Sequence, residues 1–330
     1  MTDTSRRDPG ARVVDVHAHG VPRELLTALR SAPGSSSLPE LGPDRRLRFG
    51  VRWTSPAPEA LTDVPARLAE MDRTGVDVQV VSPWIELSPD ELEPAARAAF
   101  LRLLNDGMAE LAADHPDRLR ALALVDRHDP ASAAAELVRT AARPGVVGVE
   151  LAAGGSAAPL HDPAWDRLWA AASECGSFVL LHPWRAGSPA GISGLRLGDI
   201  VDNPAQSTAV VGAMVLASVF DRFPDLRLCV VHGGGFLPYQ AGRFDAIARL
   251  EGERSPGSVL RRLYYDSLTH SPEALSWLVG FAGSDRVLLG SDFPFATGDP
   301  AAVRAVERAP LTAAARAAVL GANACRLLGC

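Results

Sequence analysis

Four short apolar runs in this chain each end in a residue that can bind a metal ion. They read VVDVHAH, FVLLHPW, LCVVHGGG and VLLGSDFPF, and the residues in question are His17, His19, His182, His232 and Asp292. Each run has the composition of a strand buried on both faces, so each polar residue stands where a strand leaves the core. In a (β/α)8 barrel the strand ends form one rim, where enzymes of this fold keep their active sites. The pattern predicts such a barrel with a single-metal site at its rim.

The rest of the chain alternates between strand and helix patterns. Segments such as LTDVPARLAEMDRTG and PAWDRLWAAASECG have the periodicity of helices that separate the strands. The predicted strands span 12–18, 76–82, 119–125, 146–152, 178–182, 227–232, 263–267 and 287–291. Eight strands with helices between them indicate an α/β fold, the closed (β/α)8 TIM barrel.

The length of the chain favours one barrel with an addition. Its 330 residues exceed the ~250 of a typical barrel, which leaves room for an insertion but hardly for a second domain. We therefore predict that residues 1–330 form a single barrel. The segment 22–58, rich in Pro, Gly and Ser, follows the first strand and contains a candidate hairpin in RRLRFGVRW. Because it follows a strand end, we expect this insertion to lie over the mouth of the site.

Charge and hydropathy indicate a small-molecule partner. The net charge of -6 gives no electrostatic case for binding nucleic acid or an anionic membrane. No apolar stretch is long enough to span a bilayer, and the opening MTDTSRRDPGAR lacks the apolar segment of a secretion signal. The four cysteines show no CxxC spacing. A cytoplasmic location is therefore expected.

All 33 basic residues are arginine, so the chain contains no lysine. A carbamylated lysine that bridges two metal ions therefore cannot form. Glu150, at the end of VVGVEL, is the one obvious carboxylate for another kind of bridge. The alternative is that Glu150 is a hydrogen-bonded polar residue at a strand end. One ion per chain is the expectation.

The pair His17 and His19 has the spacing of side chains on one face of a strand. Asp15, one step earlier, is expected on the same face, where it would orient the two imidazoles. With His182 and Asp292 the set becomes three imidazoles and a carboxylate, which suits a first-row divalent metal ion. Zinc is the first expectation and manganese the second. The alternative is a set of unrelated histidines satisfied by hydrogen bonds.

His232 differs from the other candidates because three glycines follow it and let the backbone approach a ligand closely. We predict that His232 is the general acid/base, since an imidazole has a suitable pKa. The alternative, a fourth nitrogen ligand, would leave no open position on the ion. Asp292 is predicted to take part in catalysis as well as in coordination. Of the remaining histidines, His270 is the one expected near the mouth.

Five motifs together carry a family resemblance. HxH, LHPW, VVHGGGFLPYQAGRF, YYDSLTH and VLLGSDFPF stand in this order across nearly the whole chain. In them the chain resembles the amidohydrolase-2 family of the amidohydrolase superfamily, and most of all its aminocarboxymuconate semialdehyde decarboxylases. The resemblance implies a zinc ion at the four ligands named above, with His232 as the catalytic histidine. The family also includes hydratases and hydrolases, so the fold alone does not name the reaction.

The resemblance also implies how a substrate is held. In these decarboxylases an arginine after HGGG enters the active site of a neighbouring subunit, and Arg243 is the matching position, which implies a homodimer. A second substrate arginine lies in the insertion, where Arg48 matches best and Arg52 is close behind. Trp184, Phe293 and Phe295 can cover a flat conjugated body. Packing at the rim explains each aromatic residue equally well.

The loop after His182 departs from the resemblance. Where the decarboxylases have an acid after HPW and then a tryptophan-containing stretch, this chain has Arg185 and no aromatic residue in the segment that follows. A basic residue there favours a more anionic substrate. A solvated loop charge is the alternative.

These features predict a metal-dependent nonoxidative decarboxylase of a small conjugated or aromatic carboxylic acid. The planar fork of arginine binds a carboxylate bidentately, whereas a neutral amide or lactone would leave the arginines without a partner. The alternative is a hydrolase or hydratase acting on an amide, a lactone or a ring-cleavage product. A non-catalytic metal-stabilised binding module is the third interpretation, and a free acid/base beside an open metal position argues against it.

Overall fold

The computed structural model of the protein describes residues 11–31, 38–155, 158–187, 195–251 and 255–329. Its strands are β1 (Val14–Gly20), β2 (Glu40–Leu41), β3 (Leu47–Phe49), β4 (Arg52–Trp53), β5 (Val78–Pro83), β6 (Leu119–Leu124), β7 (Val146–Ala152), β8 (Phe178–His182), β9 (Arg227–Val230), β10 (Tyr264–Asp266) and β11 (Val287–Leu288). Its helices are α1 (Arg23–Ser31), α2 (Val64–Thr74), α3 (Pro94–Asp114), α4 (Pro130–Ala141), α5 (Asp166–Glu174), α6 (Asn203–Leu216), α7 (Val219–Arg222), α8 (Val231–Gly234), α9 (Leu237–Glu251), α10 (Pro256–Leu260), α11 (Pro272–Ala282), α12 (Ala302–Arg308), α13 (Ala313–Ala317) and α14 (Asn323–Leu328).

Eight parallel strands form the barrel, in the order β1-β5-β6-β7-β8-β9-β10-β11. The first and last strands meet where the Val16 N–H donates to the Leu289 carbonyl at 2.8 Å. Farther along the same seam, Ala18 pairs with Phe293 in a parallel bridge. The predicted (β/α)8 barrel and its eight strands are thus confirmed.

Both faces of the barrel strands are buried, which explains their nearly continuous apolar sequences. Alternate residues such as Val14, Val78 and Leu180 pack together inside the barrel. The residues between them, such as Val81 and Leu181, belong to the layer that packs against the helices. This division determines which strand-end side chains can reach the interior of the rim.

Helix α2 shows how local sequence can determine where a helix begins and ends. The Asp63 side chain accepts a hydrogen bond from the Ala66 N–H and caps α2. The same helix ends at Gly75, whose φ of 76° is in the left-handed region that glycine adopts freely. None of the helices in the described ranges combines the length and the apolar character needed to cross a bilayer.

The segment between β1 and β5 contains α1 and a small antiparallel sheet. Strands β3 and β4 pair Phe49 with Arg52 around a two-residue turn, as the hairpin pattern predicted. Leu47 and Phe49 are fully buried, and the Phe49 ring packs edge-on against Phe100 at 5.4 Å. Because side chains alternate along a strand, this arrangement leaves Arg48 on the solvent side of β3.

Candidate metal centre and active-site pocket

The four predicted ligands lie together at the rim of the barrel. Ligand atoms of His17, His19, His182 and Asp292 all lie within 4.8 Å of one another, and all four residues are buried. The Nε2 atoms of His17 and His19 are 3.3 Å apart. Asp292 Oδ1 lies 3.1 Å from the His19 Nε2 and 3.5 Å from the His17 Nε2. Strand ends β1 and β8 and the loop after β11 supply these side chains.

A β-bulge in β1 aims the two histidines inward. The pairing with β5 shifts register between Asp15 and Ala18, so that Val16 and His17 together stand opposite one residue of β5. Val16 lies among the side chains inside the barrel. His17 and His19 are nevertheless directed inward as well, because the bulge reverses the alternation of the strand.

The bulge also places Asp15 on the outer side of the strand, so the expected position of Asp15 on the imidazole face is wrong. Its carboxylate accepts hydrogen bonds from the Gln79 side chain at 2.9 Å and the Ser291 hydroxyl at 2.6 Å. It also accepts from the backbone N–H of His17 at 3.1 Å. Asp15 therefore fixes the backbone of the bulge and the loop before Asp292, whereas another residue orients the His17 ring.

That residue is Asp266, at the end of β10. Its Oδ2 lies 2.7 Å from the His17 Nδ1, which leaves Nε2 directed at the centre of the cluster. The Nδ1 atoms of the other two histidines are held in the same way. That of His19 lies 3.0 Å from the Ser82 Oγ, and that of His182 lies 2.8 Å from the Pro183 carbonyl.

Burial and charged neighbours together shift the pKa values of the cluster. It lowers the pKa of both His19 and His182 and so favours the neutral imidazole, the form that binds a metal ion. Burial would also lower the pKa of His17, but the hydrogen bond with Asp266 and the nearby carboxylates raise it to about 9. For Asp292, burial would raise the pKa, but contact with His19 and the charge of His17 hold it below its ordinary range.

The donor set fits a divalent ion. The Asp292 Oδ1 is buried and has no hydrogen-bond partner among the described residues. It faces two imidazole nitrogens, so three lone-pair donors converge on one point, an arrangement that a cation stabilises. Three imidazoles and a carboxylate are suitable ligands for zinc and other first-row divalent ions.

His232 lies beside this cluster, in the turn that follows β9. Its ring centroid is 5.4 Å from that of His17 and 5.3 Å from that of His182. Its φ of 57° is left-handed, and so are those of the next three glycines. A Cβ added at Gly234 would come within 2.4 Å of the Tyr265 ring, so that position requires glycine.

The His232 imidazole is available for proton transfer. Its Nδ1 is buried and has no hydrogen-bond partner in the described parts of the chain. Burial and the charge of His17 lower the pKa of His232, which favours the neutral imidazole. The turn itself is fixed by the Gly233 N–H, which donates to the Asp266 Oδ1 at 2.7 Å. Asp266 therefore contacts both a metal-site histidine and the His232 turn.

A pocket of about 930 Å³ opens over His182, His232 and Asp292. Five aromatic side chains are among the residues that line it: Trp84, Trp184, Tyr239, Trp277 and Phe295. Trp184 and Phe295, two of the three aromatic residues predicted to contact substrate, therefore line the pocket. Phe293 is not among the lining residues, and its ring lies under the Arg67 guanidinium at 4.9 Å. His270 lines it as well, as expected.

The two predicted substrate arginines are not among the pocket walls. Arg48 pairs with Glu40 and lies over the Trp53 ring at 5.6 Å, on the solvent side of the hairpin. Arg243 is exposed on α9 and forms no hydrogen bond or ion pair with the described residues. Within this chain the structure brings neither of them to the metal cluster.

Arg52, the weaker match in the insertion, lies nearer the pocket than Arg48. Its guanidinium is 5.3 Å from the Trp184 ring and donates from Nε to both oxygens of Glu91 at 2.9 Å. The Trp184 Nε1 in turn donates to the Asp90 Oδ2 at 2.9 Å. Asp90 and Glu91 follow β5 in a loop that contains none of the predicted site residues.

Glu150 lies next to the cluster but is not one of the candidate ligands. Its carboxylate is fully buried, and neither oxygen has a hydrogen-bond partner among the described residues. Oε1 lies 3.8 Å from the His19 Nδ1, outside the group of candidate ligands. Burial raises the pKa of Glu150 well above its ordinary value, which favours the neutral acid.

The chain is similar to two known decarboxylase sequences. The chain is 28% identical over 275 residues to a 2-amino-3-carboxymuconate-6-semialdehyde decarboxylase of Dictyostelium discoideum, covering 81% of this chain and 77% of the relative. It is 31% identical over 254 residues to decarboxylase orsB of Emericella nidulans, covering 71% and 74% of the two chains.

A solved structure extends the comparison to the fold. The 5-carboxyvanillate decarboxylase LigW of Sphingomonas paucimobilis superposes with a TM-score of 0.78 at 25% identity, covering 97% of this chain and 99% of that one. The family model described as Amidohydrolase matches residues 14–330, which include every candidate site residue named above. The chain therefore belongs to the amidohydrolase-2 family.

Proposed function

We propose that this protein is a metal-dependent nonoxidative decarboxylase of a small aromatic or conjugated carboxylic acid. The observation that carries the proposal is the position of the His232 imidazole, which lines the pocket beside the candidate metal cluster and whose Nδ1 has no hydrogen-bond partner among the described residues. The relatives described above are named as decarboxylases, which favours this reaction over the hydrolase or hydratase alternative.

In this proposal His17, His19, His182 and Asp292 hold one divalent ion, zinc in the first place and manganese as the alternative. When bound, the ion supplies Lewis acidity that polarises an oxygen of the substrate. The donor set accepts either metal, because imidazole and carboxylate suit both. Asp292 serves the reaction by its charge at the centre of the site as well as by coordination.

His232 moves the proton. Its neutral imidazole accepts a proton at the open side of the pocket and delivers it to the substrate carbon that bears the carboxylate. The bond from that carbon to the carboxylate then breaks, and its electron pair stays on the carbon. The carbon retains the new proton, carbon dioxide leaves, and the net change is the exchange of a carboxylate for a hydrogen.

The walls of the pocket orient the substrate. The rings of Trp184 and Phe295 lie on the same pocket as His232 and offer flat surfaces to a conjugated body. We also propose that the insertion, residues 22–58, covers one side of the mouth. The contact of Arg52 with the Trp184 ring supports this position.

The proposed active unit is a homodimer in which Arg243 of one subunit binds the substrate carboxylate in the other. Tyr239, Arg243, Ile247 and Leu250 recur at the spacing of one helix face on α9. The three apolar side chains on this face are exposed in the single chain. An exposed apolar face whose arginine has no partner within the described ranges is a suitable surface for a second copy of the chain.

The reaction is tested by measuring where the carbon atoms of the substrate go. The purified metal-loaded protein is incubated with conjugated and aromatic carboxylic acids, and ultraviolet spectra are recorded together with released carbon dioxide. We expect a product that lacks one carboxyl group, and an equal amount of carbon dioxide. A substrate that takes up water and keeps all its carbon in solution would replace this proposal with the hydrolase or hydratase alternative.

A further inference from the structure

Three arginines and two carboxylates form one cluster beside the pocket, which we name the Asp90 cluster. Arg127 donates to both oxygens of Asp90 at 2.7 and 2.6 Å, and Arg52 donates to both oxygens of Glu91. Arg185 donates from Nη1 to the Glu91 Oε1 at 2.8 Å and lies 3.9 Å from Asp90. Three guanidinium groups therefore share two carboxylates.

The excess charge of the cluster is directed to the pocket. The side chains of Arg52, Arg127, Asp90 and Glu91 are at most 17% exposed, whereas that of Arg185 is 51% exposed and lines the pocket. A guanidinium does not lose its proton in a protein, so the cluster carries one uncompensated positive charge. The neighbouring Glu86 forms no ion pair with these three guanidinium groups within the described residues, and its carboxylate accepts a hydrogen bond from the Ser55 N–H.

The guanidinium of Arg185 has room for a ligand. Only its Nη1 has a hydrogen-bond partner within the described residues, so Nε and Nη2 remain as donors on the fork. Its backbone has a φ of 49°, a left-handed conformation that disfavours residues with a side chain. The preceding Trp184 is held by Asp90 and Arg52, so the arginine extends from a fixed part of the wall.

We propose that Arg185 binds a second anionic group of the substrate, so that the preferred substrates are dianionic acids. One carboxylate is then lost beside His232, and the other anionic group stays bound to the guanidinium fork. This inference rests on the proposed function and narrows its substrate class. The other arginine of the pocket, Arg196, differs because it is paired one-to-one with Asp199 at 3.0 Å.

The test measures binding, which does not depend on turnover. The dissociation constants of 2-hydroxybenzoate and 2-hydroxybenzene-1,3-dicarboxylate are compared on the metal-loaded protein by quenching of tryptophan fluorescence. We expect the wild type to bind the dicarboxylate about tenfold more tightly, as one charge-assisted hydrogen bond implies. Arg185→Gln should bring the two constants to within about twofold, and Arg185→Lys should keep part of the preference.

Two further variants separate a charge effect from loss of structure. Glu91→Gln removes a carboxylate from the Asp90 cluster, so it should increase the preference for the dicarboxylate, opposite to Arg185→Gln. Arg196→Gln, the matched control, should change the ratio by less than about twofold because that charge is already paired. Circular dichroism and metal content show that each variant is folded.

Equal binding of the two acids by the wild type would overturn the inference, and so would an unchanged ratio in Arg185→Gln. A ratio that falls in both Arg185→Gln and Glu91→Gln would assign the arginine a purely structural role. If neither acid releases carbon dioxide but the ratios follow the expectation, the proposed reaction fails while the anion site stands.

Discussion

Single substitutions at the rim should separate metal binding from proton transfer. His17→Ala or Asp292→Ala removes a candidate ligand, so elemental analysis should find well below one divalent ion per chain. His232→Asn should keep the ion and lose turnover by about 10²–10⁴-fold, the usual contribution of a general acid or base. Asparagine is the suitable replacement because it tolerates the left-handed backbone of this turn.

Chelation provides the control for these variants. The wild type should contain about one divalent ion per chain, lose activity on removal of the ion and regain it with zinc or manganese. A His232→Asn protein that purified without metal would mean that His232 is a ligand and that the roles have been exchanged. Two tightly held ions per chain would contradict the single-ion site.

The sequence could predict which residues would meet, but not all of the geometry that orients them. The motifs place four candidate ligands at strand ends, and the structure brings those four side chains together. The spacing of His17 and His19 could not predict the bulge in β1. Residues i and i+2 share a face of a regular strand, and these two share a face in the bulged strand as well. Asp266 ends the segment LYYD, and its signal was the same as that of the ligands, a carboxylate at the end of a buried strand.

At the scale of elements, Asp90 ties together three loops at the active face of the barrel. It accepts from Arg127 after β6 and from Trp184 after β8, while its own loop follows β5. Asp90→Asn should therefore lower the free energy of unfolding by about 3 kcal/mol at pH 7, because it leaves Arg127 buried without its counter-charge. Urea unfolding of wild type and variant measures the difference.

The pH dependence of that difference has a definite sign. Burial would raise the pKa of Asp90, but its bonds with Arg127 and Trp184 hold it well below the ordinary value of about 4. The stabilisation is then complete above pH ~4 and is lost as the pH falls toward the folded-state pKa. The difference in the free energy of unfolding between wild type and Asp90→Asn should therefore be smaller by about 1 kcal/mol at pH ~3 than at pH 7.

A surface pair serves as the comparison for Asp90. Asp166 and Arg222 form an ion pair at 2.8 Å, but both side chains are about one-third exposed. Asp166→Asn should cost no more than about 1 kcal/mol at pH 7. Equal costs for Asp90→Asn and Asp166→Asn would mean that Asp90 does not hold the loops together.

The order of the elements was predictable, whereas their ends were less so. Each of the eight predicted strands overlaps a barrel strand, because the apolar composition of a doubly buried strand is distinctive. The last predicted strand, 287–291, is shorter in the structure, where β11 ends at Leu288. Beyond that point the Leu289 carbonyl accepts a hydrogen bond from the Val16 N–H, and the Leu289 N–H donates to the Val319 carbonyl. These contacts join segments far apart in the sequence, so no local pattern predicts them.

At the scale of the whole molecule, the proposed homodimer can be tested by complementation. Arg243→Ala and His232→Asn should each be inactive alone, since one lacks the substrate arginine and the other the acid/base. Co-expression with two affinity tags yields hybrid dimers in which one site carries both intact residues. A random mixture should therefore recover about a quarter of the wild-type activity.

The result depends on where Arg243 acts. Purified hybrids without activity would show that the arginine serves its own subunit or no site at all. A monomeric wild type with full activity at high dilution would also contradict the shared site. Ultracentrifugation of the same samples records the oligomeric state alongside the rates.

The double role of Asp266 limits how this centre can be altered. One oxygen of its carboxylate contacts the His17 ring, and the other accepts from the Gly233 N–H in the turn of His232. Exchange of the ion for one of another radius would displace His17, and through Asp266 the displacement would extend to the His232 turn. The distance between the ion and His232 would then be similar for metals of different size. Changing the metal would therefore alter the Lewis acidity of the site more than its geometry.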